Sequence, residues 1–497
     1  MYFLGIDLGS SSIKLSVLYA EKGLSIGSVK VPENEMEIVA LKFGWAEQDP
    51  NMWWEYVKQG IHLLKKKNHI DLKKIKGIGI AYQMHGLVLT DDKLNPVRPS
   101  IIWCDSRAVS IGEDAYKGIG PEICQNKILG SPGNFTVSKL KWVKENEPET
   151  FKKASFMMLP GDFIAAKFSG IAQISTSGLS EAALWDFSNG ALATQVLNQM
   201  GLSQDLIPEI VPNFGDQATV APEVAKELGL DSGVKITYRS GDQPNNAFSL
   251  NVLKPGEIAT TAGTSAVMYA VSNQNTNDAQ NRINTFLHVN NTEVEKSNGV
   301  MLCINGSGIT YQWLRKIISL GRTDLISYEK LNAEAAKVAP GCEDLRFYPF
   351  GNGVERIFNN KNVNSGIENL NFNIHKPAHL IRSACEGIVF AMNYGFEVMK
   401  SVGASGEVVR AGKDNLFLSP VFREIFTNTT QTTLELYNTS GSEGAARGAA
   451  YGYGFYSQFD EAFESLKCLE RIEPDNSLSS QYQEIYAKWK ENIKIEE

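Results

Sequence analysis

The sequence has no Cys-x-x-Cys pair. Its six cysteines, at 104, 124, 303, 342, 385 and 468, are scattered along 497 residues. That usage fits free thiols in a reducing cytosol. No apolar run approaches the about 20 residues that a membrane span needs. The chain opens directly on strand-like sequence, without a basic stretch or a cleavage-like site, so a cytoplasmic protein is expected. Positive charge is also scarce. Lys and Arg number 48 against 56 Asp and Glu, a net −8 at pH 7. An acidic chain is disfavoured as a non-specific binder of nucleic acid or anionic membrane. No basic patch or helix-turn-helix opens the chain, which counts against a transcriptional repressor. Two phosphate motifs are missing as well, GxxxxGK[ST] and a strand-linked GxGxxG, so Walker-type and dinucleotide sites are disfavoured. No low-complexity linker is visible, so any domain join is expected to be a packed hinge.

What is present is the composition of an ordinary globular protein, 43% hydrophobic and 21% charged. The length exceeds what one core holds, so two large domains are expected. Strand and helix patterns alternate throughout, which makes the class α/β. Asp49-Pro50 starts a helix whose apolar face is Trp53, Trp54, Val57, Ile61 and Leu64. Ile75–Tyr82 reads as a buried strand running into Gln83-Met84-His85-Gly86. His379–Val402 reads as a long helix, and Ser442–Tyr456 as a helix dense in Gly and Ala, suited to close packing on a sheet or a flat ligand.

One device occurs twice. Phe3–Leu8 and Ile13–Leu18 read as paired strands around Gly9-Ser10-Ser11-Ser12. Gly256–Ala259 and Ala266–Val271 read the same way around Thr260–Ser265, a turn of small and hydroxyl residues. Such turns let consecutive backbone N–H groups approach an anion, and Lys14 adds charge. The echo suggests two related halves facing one another across a cleft. Just before the second copy, the apolar run Val234–Tyr238 leads into Gly241-Asp242-Gln243-Pro244-Asn245-Asn246, read as a turn. A carboxylate at a strand end is where α/β proteins place chemistry. Asp242 reads as a general base for phosphoryl transfer, which needs a positioned hydroxyl, a proton acceptor and charge neutralisation. The plainer alternative is an Asx-turn stabilising its own loop. Asp7, on the strand before the first turn, is placed to hold a magnesium ion through water. His85, Asp105 and Arg107 can supply polar groups for a polyol and Trp103 an aromatic wall. Against this stand a core histidine and a local Asp105–Arg107 ion pair.

These stretches together resemble the FGGY family of carbohydrate kinases over nearly the whole chain. D-L-G-S-S-S-I-K resembles the family's first phosphate motif, with Ser10 where threonine is usual. Q-M-H-G and R-P-S-I-I-W-C-D-S-R resemble the sugar segment of its D-xylulose-using members. N-F-T-V-S-K-L-K-W-V resembles the helix signature around Lys139 and Trp142. G-D-Q-P-N-N-A resembles the catalytic-aspartate motif, and T-A-G-T-S-A-V the second phosphate motif. R-A-G-K-D-N-L-F-L-S-P-V-F-R resembles the adenosine motif, its usual triple glycine reduced to Gly412. Ser175-Thr176-Ser177 stands where an aspartate is common.

The resemblance implies an actin-like ATPase fold, two ribonuclease-H-like domains around a cleft. The expected division is 1–245, sugar-binding, and 246–497, ATP-binding. It implies ATP and Mg2+, with Asp242 as the base that deprotonates the sugar's terminal hydroxyl and Asp7 organising the metal. Ser10, Ser11, Lys14, Gly263 and Thr264 are implied for the phosphates, and Ala411, Gly412 and Asn415 for the adenine. Met84, His85, Trp103 and Asp242 are implied for the sugar. The implied reaction is D-xylulose to D-xylulose 5-phosphate; ribulose, fuculose, gluconate or glycerol are the alternatives, since sugar choice depends on which hydroxyls the pocket pairs. Closure of the domains would exclude water as a competing acceptor. A homodimer follows from the resemblance alone, and no nucleic-acid or membrane partner is expected. A rival of another class is a non-catalytic actin-like nucleotide switch. It would need both phosphate turns but not the strand-end carboxylate beside the Met-His and Trp-Asp-Arg segments.

Overall fold

The computed structural model describes residues 1–321, 324–359 and 361–493. They form two units. The first is built from Met1–Asn251, Phe286–Asn298 and Thr439–Leu466, and the second from Val252–Thr285, Gly299–Asn438 and the chain from Lys467.

The first unit centres on a six-stranded sheet. Its strands are β1 (Tyr2–Leu8), β2 (Ile13–Tyr19), β3 (Leu24–Val31), β4 (Ile75–Tyr82), β5 (Phe214–Thr219) and β6 (Lys235–Gly241), in the order β5-β6-β4-β1-β2-β3. β1 runs antiparallel to β2 and parallel to β4, β4 is parallel to β6, and β6 is antiparallel to β5. The central strands are near-continuous apolar runs because both faces are covered: Phe3, Leu4, Ile6, Ile78 and Ile80 are all 0% exposed. Two helices cover them. Ser16 Oγ meets Ser442 Oγ of helix Gly441–Gly452 at 2.7 Å. Its neighbour Leu15 packs on Gly60 of helix Pro50–Asn68. Adjacent strand residues point to opposite faces, so the two helices lie on opposite sides of the sheet.

Local chemistry explains both helices. Asp49 caps the first, its carboxylate accepting from Asn51 N at 2.9 Å, with Pro50 at the first helical position. Trp53, Trp54, Val57, Ile61 and Leu64 are buried, and Lys65, Lys66 and Lys67 lie at the C-terminal, negative pole of the dipole. The other helix touches the sheet backbone to backbone. A Cβ on Gly5 would lie 1.9 Å from Ser442 O, and one on Gly79 2.0 Å from Ala445 O. Gly and Ala on both surfaces permit that approach. This segment comes late in the chain yet packs on the sheet formed by its beginning.

The second unit carries a seven-stranded sheet. Its strands are β7 (Ile258–Ala262), β8 (Ala266–Ser272), β9 (Asn284–Leu287), β10 (Asn298–Ile304), β11 (Val408–Gly412), β12 (Thr433–Tyr437) and β13 (Cys468–Ile472), in the order β9-β10-β8-β7-β11-β12-β13. β7 is antiparallel to β8 and parallel to β11, β11 is parallel to β12, and β12 is antiparallel to β13. This repeats the pairing of β1 with β2 and β4, β4 with β6, and β6 with β5. The echo between the hairpins thus extends to the topology of both sheets. Helix Pro377–Ser401 runs through the core of this unit, burying Ile381, Ala384, Ile388, Ala391 and Phe396. Among the described residues, no helix is long and apolar enough to cross a membrane.

Candidate active site

In the first unit, β1 and β2 join through a tight turn closed by Gly9 N donating to Ser12 O at 3.1 Å. Asp7 lies directly across from Lys14 in the antiparallel pair. The Asp7 carboxylate is half-buried, and burial raises its pKa while Lys14 holds it down. Helix Gly441–Gly452 starts against it: a Cβ on Gly441 would lie 2.6 Å from Asp7 Oδ2. Ser10 is fixed by its backbone, its carbonyl accepting from Gln48 Nε2 at 2.7 Å. Its hydroxyl accepts from Trp103 Nε1 at 3.3 Å. Ser11 and Lys14 are exposed.

Asp242 follows β6 directly. The stretch expected to be a turn is instead the first turn of helix Asp242–Ser249. The difference has a physical reason. Gly241 is extended at φ −56, ψ 156 and acts as the N-cap. Pro244 falls in the first turn, where backbone N–H groups have no intrahelical partner, so its missing donor costs nothing. Asp242 sits at the positive pole of the helix. Burial, and next the charge of Asp7, push its carboxyl up to about 7, against hydrogen bonds from Gln243. Asn245, one turn along, donates from Nδ2 to Gly441 O at 2.8 Å and ties this helix to the one beside Asp7.

β4 ends at Tyr82, and the Gln83-Met84-His85-Gly86 segment follows. Met84 is 4% exposed and lies against Gly241, where a Cβ would come within 2.6 Å of its Cγ. His85 takes a left-handed backbone, φ 60. Its Nδ1 lies 3.0 Å from Glu181 O, and its ring packs on Phe135 at 4.7 Å and Phe286 at 5.4 Å. Trp103 stays open, 40% exposed. The structure therefore brings Ser10 to Trp103, Asp7 to Lys14, and Met84 to the strand end that carries Asp242.

Asp105 and Arg107 do not join them as polar donors for a polyol. Asp105 is 0% exposed and pairs with Arg107 Nη2 at 2.7 Å. It also accepts from Ala46 N at 2.6 Å. Arg107 reaches Glu47 at 2.7 Å, with its guanidinium 3.8 Å above the Trp45 ring and 4.8 Å from that of Trp142. The local ion pair is the arrangement adopted, because a buried carboxylate needs a partner and donors and finds both here.

Two residues carry structural roles that their residue type alone does not reveal. Lys139 is 0% exposed and donates from Nζ to His85 O at 2.8 Å and Ile102 O at 2.9 Å. One ammonium thus pins the backbone of both the His85 and the Ile102 segments. Burial lowers its pKa to about 8, with Asp105 opposing. Glu181 is 2% exposed, and its Oε2 lies 2.5 Å from where a Cβ on Gly241 would be. Burial raises its pKa well above the ordinary carboxylate range; the Asp162 and Asp242 charges add to the rise. The one available signal was a charged residue inside the otherwise small and apolar run Ser177–Leu184.

In the second unit, the turn between β7 and β8 holds Gly263 and Thr264. Gly308 N donates to Gly263 O at 2.8 Å and Ile309 N to Thr264 O at 3.2 Å, so the turn rests on the start of helix Gly308–Ile318. Asn415, at φ 47, lies close by: its Nδ2 is 3.7 Å from where a Cβ on Gly263 would be. Gly412 ends β11 beside Asp414, while Ala411 is 0% exposed with its side chain in the core. Among the described residues, no three His, Cys, Asp or Glu side chains cluster as a metal-donor set.

Two sheets of one topology, each opening on a hairpin with a small-residue turn, define an actin-like ATPase fold. Models of the N-terminal and C-terminal domains of the FGGY family of carbohydrate kinases match residues 2–249 and 258–453. A xylulose kinase from Staphylococcus xylosus is 26% identical over 498 residues, covering 98% of this chain and 99% of that protein. Among solved structures, a ligand-bound xylulose kinase from Lactobacillus acidophilus superposes with a TM-score of 0.88 at 20% identity, over 99% of this chain and 97% of that one. A gluconate kinase from the same organism gives 0.87 at 20% identity, with 99% and 97% covered. The chain belongs to the FGGY family of carbohydrate kinases.

Proposed function

We propose that this sugar kinase transfers the γ-phosphoryl group of ATP to the terminal hydroxyl of D-xylulose, releasing ADP and D-xylulose 5-phosphate. The observation that carries this reading is Asp242. Its carboxyl follows the strand end, Gly241, on which Met84 packs, and is raised to about 7 by burial and by Asp7. A base of that strength is matched to a proton arriving from a sugar hydroxyl near neutral pH. The full-length relatives named xylulose kinase support the choice of sugar.

In this reading the first unit binds the sugar. Met84, His85 and Trp103 hold it, with Lys139 and Glu181 O fixing the backbone and ring of His85. Asp242 accepts the proton as the hydroxyl oxygen attacks the γ-phosphorus and the β–γ bridging oxygen leaves with ADP. Ser10, Ser11 and Lys14 are the phosphate-binding residues proposed in the first unit, and Gly263 and Thr264 those proposed in the second. Ala411, through its backbone, and Gly412 and Asn415 line the adenine. Asp7 fits a magnesium ion held through water: its carboxylate is half-buried at a helix start packed too closely for any side chain. Bound there, the ion would neutralise phosphate charge. A cytoplasmic location accords with free cysteines throughout.

The test is ADP release with magnesium and ATP across D-xylulose, D- and L-ribulose, L-fuculose, gluconate and glycerol. A selective response to D-xylulose is expected. Selectivity for another sugar would refute the assigned substrate and leave the reaction class standing. Silence across the panel with ATP still bound would refute catalysis and favour a nucleotide switch.

A further inference from the structure

The second unit buries a carboxylate that the proposed reaction leaves unused. Glu355 is 0% exposed at the end of the short strand Val354–Glu355. It accepts from Asn305 N at 3.0 and 3.1 Å and from Gly306 N at 3.2 Å. Burial pushes its pKa up to about 7, and those N–H groups oppose the rise. A buried carboxylate is costly, so its bonds must hold something that otherwise would not stay in place.

What they hold is the loop between β10 and helix Gly308–Ile318. Asn352 Nδ2 tethers the same loop, donating to Asn305 O at 3.0 Å. A Cβ on Gly306 would fall 1.4 Å from Pro349 O, so the two backbones touch. Ser307, the N-cap of that helix, is 0% exposed, and its buried Oγ has no hydrogen-bond partner. The loop's far end carries the bonds from Gly308 N to Gly263 O and from Ile309 N to Thr264 O. A Cβ on Gly308 would lie 2.3 Å from Gly263 O, so loop and turn cannot move independently.

We propose that Glu355 is a positioning residue for the phosphate-holding turn, acting through Asn305–Gly308 on Gly263 and Thr264. It touches no substrate. Its carboxylate sets where the loop ends, the loop sets the carbonyls of the turn, and the turn's N–H groups are set with them. The inference rests on reading that turn as a phosphate site. Backbone nests bind anions only when consecutive N–H groups converge, so a small rotation of the turn costs affinity.

The test compares wild type, Glu355→Gln and Asn352→Ala by calorimetric binding of MgADP and by KM for ATP and for the sugar. Gln keeps one acceptor oxygen and turns a donor toward Asn305 N. MgADP binding is expected to weaken about tenfold and KM for ATP to rise alike, the scale of one charge-assisted hydrogen bond. The sugar KM is expected to stay within about twofold. Asn352 is exposed, so its variant keeps the fold; a smaller shift of about threefold in the same direction is expected, the scale of one neutral bond. Unchanged MgADP binding in both variants overturns the proposal, as does an equal rise in both KM values for Glu355→Gln. If Glu355→Gln does not fold, Asn352→Ala decides: no nucleotide-selective shift overturns it. Absence of MgADP binding by the wild type would instead refute the phosphate reading of the turn, and the inference with it.

Discussion

Replacing Asp242 by Asn keeps the shape of the side chain and removes its capacity to take a proton. The change acts on two observables in opposite directions. Turnover loses its general base, an effect of about 10²- to 10⁴-fold on kcat. Stability, in contrast, rises. In the unfolded chain the carboxyl titrates at its ordinary 3.8, and in the fold at about 7. Below pH 3.8 both states are protonated and the carboxyl contributes no difference. Between 3.8 and 7 the unfolded state ionises first, so stability falls as pH rises, and above 7 the full cost is present. That cost is about 4 kcal/mol at about 1.4 kcal/mol for each pKa unit. Asp242 is half-buried, so solvent relieves part of it, and about 2 kcal/mol is the expected gain for the Asn variant above pH 7. For domains of this size that corresponds to a rise in Tm of about 4–8 °C, absent near pH 4. Thermal scans at pH 4.5 and 8, paired with an ADP-release assay, read both effects. Turnover within tenfold of wild type would refute the base. A Tm difference equal at both pH values, or absent at both, would refute the desolvated carboxyl.

Wild-type kcat/KM is expected to fall as pH drops below about 7, approaching tenfold per unit, because protonated Asp242 accepts nothing; a flat profile from pH 5 to 8 sinks the assignment. Trp103→Ala removes an open indole and is expected to raise the sugar KM about tenfold with an unchanged Tm, since the ring is 40% exposed. Lys139→Met deletes the bonds to His85 O and Ile102 O. It is expected to raise the sugar KM by at least about tenfold and to leave MgADP binding alone, two carbonyls having lost their donor; weakened MgADP binding would contradict that separation. Gly441→Ala places a Cβ 2.6 Å from Asp7 Oδ2. The shift it forces is expected to cost about 1–3 kcal/mol of stability and to weaken Mg2+ binding measured by Mn2+ competition; unaltered metal affinity would detach Asp7 from the metal.

What the sequence made legible is local. Short apolar runs and their small-residue turns identify both hairpins, and Asp49-Pro50 identifies a capped helix, because the physics lies within a few neighbouring residues. The Asp242 stretch misled because Gly, Pro and Asn signal turns, yet each is also allowed in the first turn of a helix. Asp105 and Arg107 gave the right residue types and the wrong task. Only the fold reveals Trp45, Trp142, Glu47 and Ala46 N closing around them. Glu355 was missed for the same reason, and Glu181 because its one signal, a charge inside a small and apolar run, does not say what the acid meets. Nor could the sequence show that helix Gly441–Gly452 returns to the first sheet, since its Gly and Ala content fits any close partner.

That distribution of roles bears on sugar choice. Around the segment proposed for the sugar, Asp105, Arg107 and Lys139 spend their hydrogen-bonding capacity on the protein itself. They make a rigid floor and offer a hydroxyl little. In the proposed reading, recognition therefore falls to the sulfur edge of Met84, the ring of His85, the indole of Trp103 and the carboxyl of Asp242. Only two of these, His85 and Asp242, form strong hydrogen bonds to a polyol. The Ser175-Thr176-Ser177 segment adds no carboxylate: Ser175 is 0% exposed and spends its hydroxyl capping a helix at Gly178 N, 3.1 Å away. A site with few strong partners discriminates epimers through the groups left unpaired in the wrong one, and each of those costs about 1–3 kcal/mol. Selectivity should accordingly be lost in steps, one hydroxyl position at a time. Substitution at His85 should relax one epimeric position while the requirement for a terminal hydroxyl, assigned in the proposal to Asp242, stays intact.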